Sequence, residues 1–396
     1  MMKTEATVCF LVGQFLLLVG ICEQCRALQS LAPSLSPSRS LVNKIGRVQA
    51  GPISISQLGC GTWSWGNRLL WDYDPSQDEE IYEAYKLTRQ AGVTVFDTAD
   101  SYGTLDLNGR AEILLGDFER RYQAELLETK DQKPWWDVLS SGSRSATSNK
   151  SNAQQVATKF APYPWRITGG SFVNAAKASL KRLDQDKLAI AQLHWSTANY
   201  QPLQEKALWK GLGDIYDQGL CEAVGVSNYG PGQLTKIASY LQQRQVPLAT
   251  AQVQYSLMTY QTSQYMNDAC DNAGCRLISY SPLCLGLLTG KYNLDNLPRQ
   301  GNPRRQLFRE LLPGAQELLN TLEVVAKDYG KTQTQVAINW ALCKDTVPIP
   351  GCRTVQQAKG NLESATWRLK PDAVAVLDQA ALNVKKPMIQ NIFQTK

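Results

Sequence analysis

Four polar side chains stand where predicted strands end in the first half of this 396-residue chain. Asp97 and Tyr102 follow the apolar run VTVF, Lys159 lies near the end of VATKF, and the single histidine, His194, closes LAIAQLH. Apolar runs of this kind predict buried strands. Because a polar group costs free energy to bury without a partner, we expect these four groups to be one another's partners.

An acid, a phenol, an amine and an imidazole at one place suit proton transfer to a carbonyl oxygen. Tyrosine has a reference pKa of about 10, so Tyr102 would hold its proton near pH 7. A neighbouring ammonium favours the phenolate, and we expect Lys159 to lower the pKa of Tyr102 toward the working range of a general acid. Asp97 would keep Lys159 charged, and His194 would donate a hydrogen bond to the substrate oxygen.

The elements that position these groups alternate along the chain. From residue 56 onward, short apolar runs alternate with amphipathic helix patterns, several of which end at glycine. Such alternation predicts an α/β fold with a parallel sheet. Eight units in roughly 300 residues favour a single-domain (β/α)8 TIM barrel, whose chemistry gathers at the carboxyl ends of the strands. The eight predicted strands are QLGCGTW, VTVFDTA, QVATKF, LAIAQLHW, EAVGVSN, TAQVQYS, RLISYSP and TVPIPG.

Composition narrows the class of protein. Hydrophobic residues make up 43% of the chain and charged residues 19%, which is typical of a globular protein with a sizeable core. Half of the formal net charge of +6 lies in the first 47 residues, and no basic run suited to nucleic acid follows, so we expect no nucleic acid partner. The ten cysteines show neither a disulfide framework nor metal-ligand spacing, so we expect reduced thiols and no bound metal.

The N-terminal sequence differs from the rest. Residues 1–27 contain the apolar run VCFLVGQFLLLVGIC and resemble a signal peptide, whereas residues 28–50 are rich in Ser and Pro, lack acidic residues and resemble a transit peptide. The apolar run is short for a membrane span and no other stretch is long enough, so we expect no stable span in the mature protein. Residues 51–396 would form the barrel, with an inserted loop at about 122–154.

The ordered series of motifs resembles the aldo-keto reductase family over residues 50–385, most of all its plant and algal plastid-type members. The motifs are LGCGTW, FDTADSYG, ATKF, LHW, GVSN, QVQYS, YSPL, LTGKY and IPGCRTVQQAKGNL. This resemblance implies NADPH-dependent reduction of an aldehyde or ketone to an alcohol, with a small-molecule carbonyl compound as substrate. The implied catalytic tetrad is Tyr102, Asp97, Lys159 and His194, in which Tyr102 is the acid and base.

The resemblance also implies the cofactor contacts. The family uses three polar side chains for the nicotinamide carboxamide, an aromatic residue for its ring, and later residues for the pyrophosphate and the adenosine. Thr62 and Asp97 are also expected to contact the cofactor. In chain order, the expected cofactor-binding residues are Thr62, Asp97, Ser227, Asn228, Gln252, Tyr280, Ser281, Leu283, Gly286, Lys291, Gly351, Arg353, Gln357 and Asn361. Since Gly351, Cys352 and Gln357 depart from the pattern of many members, Arg353 or an arginine of NPRR would contact the 2′-phosphate of NADPH.

Aromatic residues fit the substrate side of this prediction. Trp63 and Trp65 follow the first strand and Trp195 follows His194, so they would form an apolar wall at the barrel mouth. The alternative function is a nicotinamide-binding sensor or regulatory subunit with little turnover, as in the related potassium channel β subunits. The complete tetrad favours the enzyme, because the position of His194 looks different in that branch.

The two-part N-terminal sequence generates a testable prediction. An apolar segment followed by a Ser- and Pro-rich one is the arrangement used for plastids that lie inside additional membranes, and we expect a mature start between Leu28 and Ala50. Residues 1–50 fused to a fluorescent protein should give a signal that coincides with chlorophyll. Secretion of the fusion, or a reticular pattern, would instead assign the protein to the secretory pathway.

Overall fold

A computed structural model describes residues 45–131, 153–388 and 391–395 of the chain. The predicted signal- and transit-peptide segments therefore lie almost wholly outside the described residues. Within the described ranges, no helix combines the length and the apolar character that crossing a bilayer requires.

Eight parallel strands form the barrel and confirm the predicted fold class. Each strand pairs with the next one in chain order, and an isolated bridge between Gly61 and Gly351 joins the two edge strands. All the carboxyl ends therefore meet at one mouth. The strands are β3 (Cys60–Gly61), β4 (Val95–Asp97), β5 (Gln155–Phe160), β6 (Leu188–Leu193), β7 (Cys221–Ser227), β8 (Leu248–Gln254), β9 (Arg276–Tyr280) and β10 (Val347–Ile349).

A short antiparallel hairpin covers the opposite end of the barrel. It pairs β1 (Arg47–Ala50) with β2 (Ile53–Ser56). Its apolar side chains Ala50, Ile53 and Ile55 share a buried cluster with alanines of the barrel strands, whose small side chains leave room for them. The expected domain start at residue 51 thus falls inside the hairpin, and the folded unit begins before it.

Helices surround the barrel and pack their apolar faces on its outer surface. They are α1 (Arg68–Trp71), α2 (Asp78–Gln90), α3 (Arg110–Asp131), α4 (Gly169–Leu183), α5 (Pro202–Asp217), α6 (Pro231–Gln243), α7 (Tyr260–Ser263), α8 (Met266–Asn272), α9 (Pro303–Asp328), α10 (Gln333–Cys343), α11 (Val355–Glu363) and α12 (Pro371–Leu382). Single 3-10 turns cover Pro75–Gln77 and Leu105–Leu107, and a longer irregular one covers Cys284–Thr289.

Helix α3 extends further than the sequence predicted. The inserted loop was expected from about residue 122, but the helix continues through Asp131 because YQAELLE consists mostly of strong helix formers. Tyr122 is buried and packs edge-on against Tyr85 of α2, with ring centroids 6.4 Å apart. Residues 132–152 of the predicted insertion lie outside the described residues.

Candidate active site

A buried ion pair between strands β4 and β5 forms the centre of the barrel mouth. The Lys159 ammonium donates to both carboxylate oxygens of Asp97 at 2.7 Å and to the carbonyl of Thr98 at 2.8 Å. The two charged side chains are 1% and 4% exposed. Two of the predicted tetrad residues are therefore direct partners.

Further hydrogen bonds satisfy this pair. The side-chain amide of Gln252, on β8, donates to Asp97 Oδ1 at 2.6 Å. Thr62 donates to the backbone carbonyl of Asp97 through its amide at 2.9 Å and its hydroxyl at 3.0 Å. Burial lowers the pKa of Lys159, and the charge of Asp97 opposes that effect. A buried charge is tolerated only with partners of this kind.

Tyr102 lies beside the ion pair and is itself uncharged. Its ring centroid is 5.7 Å from that of His194 and 4.9 Å from Lys159 Nζ. Burial raises the pKa of Tyr102 well above its usual value, and the nearby charge of Asp97 adds to the increase. The expected lowering of this pKa by Lys159 is therefore wrong, because burial and the charge of Asp97 both act in the opposite direction. Tyr102 keeps its proton at neutral pH.

His194 is held as a neutral imidazole. Burial lowers its pKa well below 6.5, and the positive charge of Lys159 lowers it further. Its Nδ1 lies 3.4 Å from the hydroxyl of Ser101, a residue that the sequence analysis did not select. This contact leaves Nε2 for a substrate oxygen.

The residues expected around the nicotinamide form one hydrogen-bonded group. Asn228 donates to the carbonyl of His194 at 3.0 Å and to the hydroxyl of Ser227 at 3.2 Å. The hydroxyl of Tyr280 donates to Asn228 Oδ1 at 2.9 Å. Asn228 itself adopts a left-handed backbone with φ of 60°. The ends of β7 and β9 thus place these side chains next to His194.

A strained turn follows β9 at the position expected for the pyrophosphate. Ser281, Cys284, Leu285 and Gly286 have φ values of 49°, 48°, 56° and 103°. Left-handed backbone in non-glycine residues costs about 1–3 kcal/mol each and is concentrated at functional sites. Leu283 lies within this turn, whereas Lys291 is exposed beyond it.

The residues expected at the adenosine end also come together. The amide of Arg353 donates to the side chain of Gln357 at 2.9 Å, and Asn361 donates to the carbonyl of Gly351 at 3.3 Å. Arg353 also donates to the carbonyl of Trp71 at 2.6 Å. The loop after β10 and the start of α11 therefore form a single compact group.

Two arginines flank Trp71 at this end. The guanidinium of Arg304 lies 4.4 Å from the Trp71 ring and that of Arg353 lies 5.9 Å from it. Burial and the charge of Arg304 lower the pKa of Arg353, and the buried Trp71 Nε1 has no hydrogen-bond partner. Two cations and a free donor form a site suited to an anion. Arg353 and the NPRR motif, which contains Arg304, are the residues that the sequence predicted for this end.

The three tryptophans predicted to line the substrate pocket separate into two groups. Trp65 is fully buried, donates to the carbonyl of Cys352 at 2.9 Å and packs against Phe118, so its predicted place in the pocket is wrong. It follows the first strand, but its ring turns into the core. Trp63 and Trp195 remain partly exposed.

A C-terminal segment of residues 391–395 completes the mouth, and the sequence analysis missed it. Phe393 stacks on Trp195 with ring centroids 4.5 Å apart. The amide of Thr395 donates to the carbonyl of Asn228 at 3.2 Å. Phe393 within the polar sequence QNIFQTK was the available signal.

The fold and this site define the protein as a (β/α)8 barrel with buried ionisable groups at the carboxyl ends of its strands. The Aldo/keto reductase family model matches residues 57–382, and the chain belongs to that family and is an oxidoreductase. Chloroplastic pyridoxal reductase of Arabidopsis thaliana is 51% identical over 88% of this chain and 90% of that protein. An NADH-specific methylglyoxal reductase of Escherichia coli is 25% identical over 82% of this chain and 94% of that protein.

Solved structures share the fold. A thermostable aldo-keto reductase crystallised with the inhibitor epalrestat aligns with a TM-score of 0.61 at 23% identity, covering 85% of this chain and all of that one. Another aldo-keto reductase, complexed with NADPH, aligns with a TM-score of 0.60 at 20% identity, covering 88% and 90%.

The buried ion pair gives a stability prediction. Lys159→Met leaves the Asp97 carboxylate buried without its cation, and such a loss costs about 3–5 kcal/mol of unfolding free energy. The double variant Lys159→Met/Asp97→Asn should recover part of that loss in urea unfolding. Lys327→Met, in an exposed pair with Glu323, is the control and should change stability little. A double variant less stable than Lys159→Met would contradict the charge explanation.

Proposed function

We propose that this protein reduces a small-molecule aldehyde, of which pyridoxal is the leading candidate, to the alcohol with NADPH. The observation that carries the proposal is that Tyr102 and His194 lie next to the Lys159–Asp97 ion pair at one end of the barrel. Tyr280, expected to contact the nicotinamide ring, lies at the same end. The relative that is 51% identical is named a pyridoxal reductase, which supports this substrate class.

The proposed reaction needs a hydride and a proton, and the protein's own residues supply the proton. Bound NADPH supplies the hydride to the carbonyl carbon. Tyr102, which is protonated at neutral pH, donates its proton to the carbonyl oxygen. The Lys159 ammonium, 4.9 Å from the ring, stabilises the phenolate once it forms. Neutral His194 orients the substrate oxygen.

The residues present fit the cofactor. Ser227, Asn228 and Gln252 would hold the carboxamide, and Tyr280 would stack on the nicotinamide ring. The left-handed turn from Ser281 to Gly286 would follow the pyrophosphate. The unpartnered Trp71 Nε1 and the two flanking guanidinium groups suit the 2′-phosphate, which favours NADPH over NADH.

An aromatic substrate suits the walls of the mouth. Trp195 lies beside His194, with ring centroids 5.0 Å apart, and the ring of Phe393 extends this surface. Trp63 meets Trp71 edge-on at 6.2 Å on another side. A flat pyridine aldehyde would contact such aromatic faces while its carbonyl reaches Tyr102 and His194.

We further propose that the protein works in a plastid. The chloroplastic relative supports this location. The hairpin restricts the proposed processing site, because cleavage after Arg47 would cut into strand β1. The mature start would then lie between Leu28 and Arg47.

The role of Tyr102 can be tested by removing its hydroxyl. Tyr102→Phe should lower pyridoxal reduction by roughly 10² or more, the contribution of a general acid, while NADPH still quenches tryptophan fluorescence. Tyr265→Phe, an exposed tyrosine on the segment before α8, serves as the matched control and should keep full turnover. Unchanged turnover in Tyr102→Phe would refute the assignment.

Cofactor preference can be tested at the arginines around Trp71. Arg353→Ala and Arg304→Ala should each weaken NADPH binding roughly ten- to a hundredfold and NADH binding much less, since each loses a charge-assisted hydrogen bond. Arg305→Ala is the matched control, because the guanidinium of Arg305, the residue that follows Arg304, donates to the carbonyl of Pro298 instead. Equal weakening of both cofactors by Arg353→Ala and Arg304→Ala would make these arginines structural.

A further inference from the structure

Two buried cysteines meet at the seam that closes the barrel. Cys60 Sγ and Cys352 Sγ are 3.6 Å apart, although 292 residues separate them in sequence. Each is 2% exposed. Cys60 belongs to β3 and Cys352 follows the bridge residue Gly351, so the sulfur atoms face each other across the two edge strands.

We propose that Cys60 and Cys352 are a site of reversible oxidation, where a peroxide converts the two thiols into a disulfide across the barrel seam. Backbone hydrogen bonds already cross the seam, from Gly59 N to the carbonyl of Pro348 at 3.0 Å and from Gly61 N to the carbonyl of Pro350 at 3.2 Å. A covalent bond here would join the first and last strands of the barrel.

The two thiols differ in pKa, and the reaction requires one of them to ionise more readily than the other. The contact with Cys60 lowers the pKa of Cys352 against the opposing effect of burial, whereas the contact with Cys352 and burial both raise the pKa of Cys60. Cys352 is therefore the thiolate that reacts first, and Cys60 is the resolving thiol. Both thiols are buried, so the oxidant has to be as small as hydrogen peroxide.

The reaction balances with hydrogen peroxide as the oxidant. The Cys352 thiolate attacks one peroxide oxygen, the O–O bond breaks, and the leaving hydroxide takes a proton to become water. Cys60 then attacks the resulting sulfenic sulfur, the S–O bond breaks, and the second water leaves with the thiol proton. Two thiols lose two electrons and two protons, and a dithiol reductant such as dithiothreitol reverses the change.

The disulfide would alter the adenosine end of the site. A disulfide requires the sulfur atoms to approach to about 2.05 Å, so Cys352 must shift or rotate. Its carbonyl accepts the Trp65 hydrogen bond, and its neighbours Gly351 and Arg353 bond Asn361 and Gln357. Resting on the proposed function, we expect oxidation to weaken NADPH binding roughly two- to tenfold, the effect of one hydrogen bond.

Peptide mapping of the full chain tests the proposal. Reduced, folded protein is treated with hydrogen peroxide, its remaining thiols are alkylated, and the digest is examined for a Cys60–Cys352 linked peptide that dithiothreitol removes. Cys60→Ser should stop the reaction at a dimedone-reactive sulfenic acid on Cys352, and Cys352→Ser should leave Cys60 as a thiol. Cys221→Ser, at a buried cysteine outside the seam, is the control and should give the wild-type yield.

The outcomes separate the modification from the cofactor. Three results would refute the proposed disulfide. They are the absence of a Cys60–Cys352 linked peptide, a linked peptide between Cys270 and Cys275 alone, and an equal yield of the Cys60–Cys352 peptide from urea-unfolded protein. A linked peptide with unchanged NADPH affinity would support the modification and overturn its effect on the cofactor. Failure of the reduced protein to bind NADPH would refute the proposed function and leave the mapping result valid.

Discussion

The pairing of one ammonium with one carboxylate inside the barrel constrains the rest of the site. Each buried ion costs several kcal/mol, and Lys159 and Asp97 are tolerated only because each finds several partners. Those partners come from β4, from adjacent β5 and, through Gln252, from β8 on the opposite wall. One polar contact thus ties the barrel across its diameter.

The buried groups of the site also differ in their protonation states. Burial and the charge of Asp97 keep Tyr102 a protonated phenol, and burial and the charge of Lys159 keep the imidazole of His194 neutral. The site therefore holds one proton on a phenol beside a neutral imidazole. The benefit of Lys159 to Tyr102 arises only after the proton has left, when a phenolate forms near it.

Local sequence patterns predicted what depends on local physics. The eight barrel strands are buried apolar runs, and polar residues at their ends marked Asp97, Lys159 and His194 correctly as neighbours. Properties set by distant contacts were not predictable: Trp65 turns into the core, and Trp71 contacts Arg304, which lies at the start of the remote helix α9. The pKa of Tyr102 was also misjudged, because a sequence shows a nearby lysine but not how completely Asp97 occupies it.

The closing seam has a consequence for how the chain reaches its final form. Gly61 pairs with Gly351, and Cys60 contacts Cys352. The first barrel strand therefore depends on contacts with the far end of the chain, and 292 residues separate the two cysteines. Contacts of such large sequence separation slow folding, because loop-closure entropy is lost before the contacts form. A partly synthesised chain has open strand edges and cannot close its barrel. Closure is therefore a late folding event, in which the last strand completes the first.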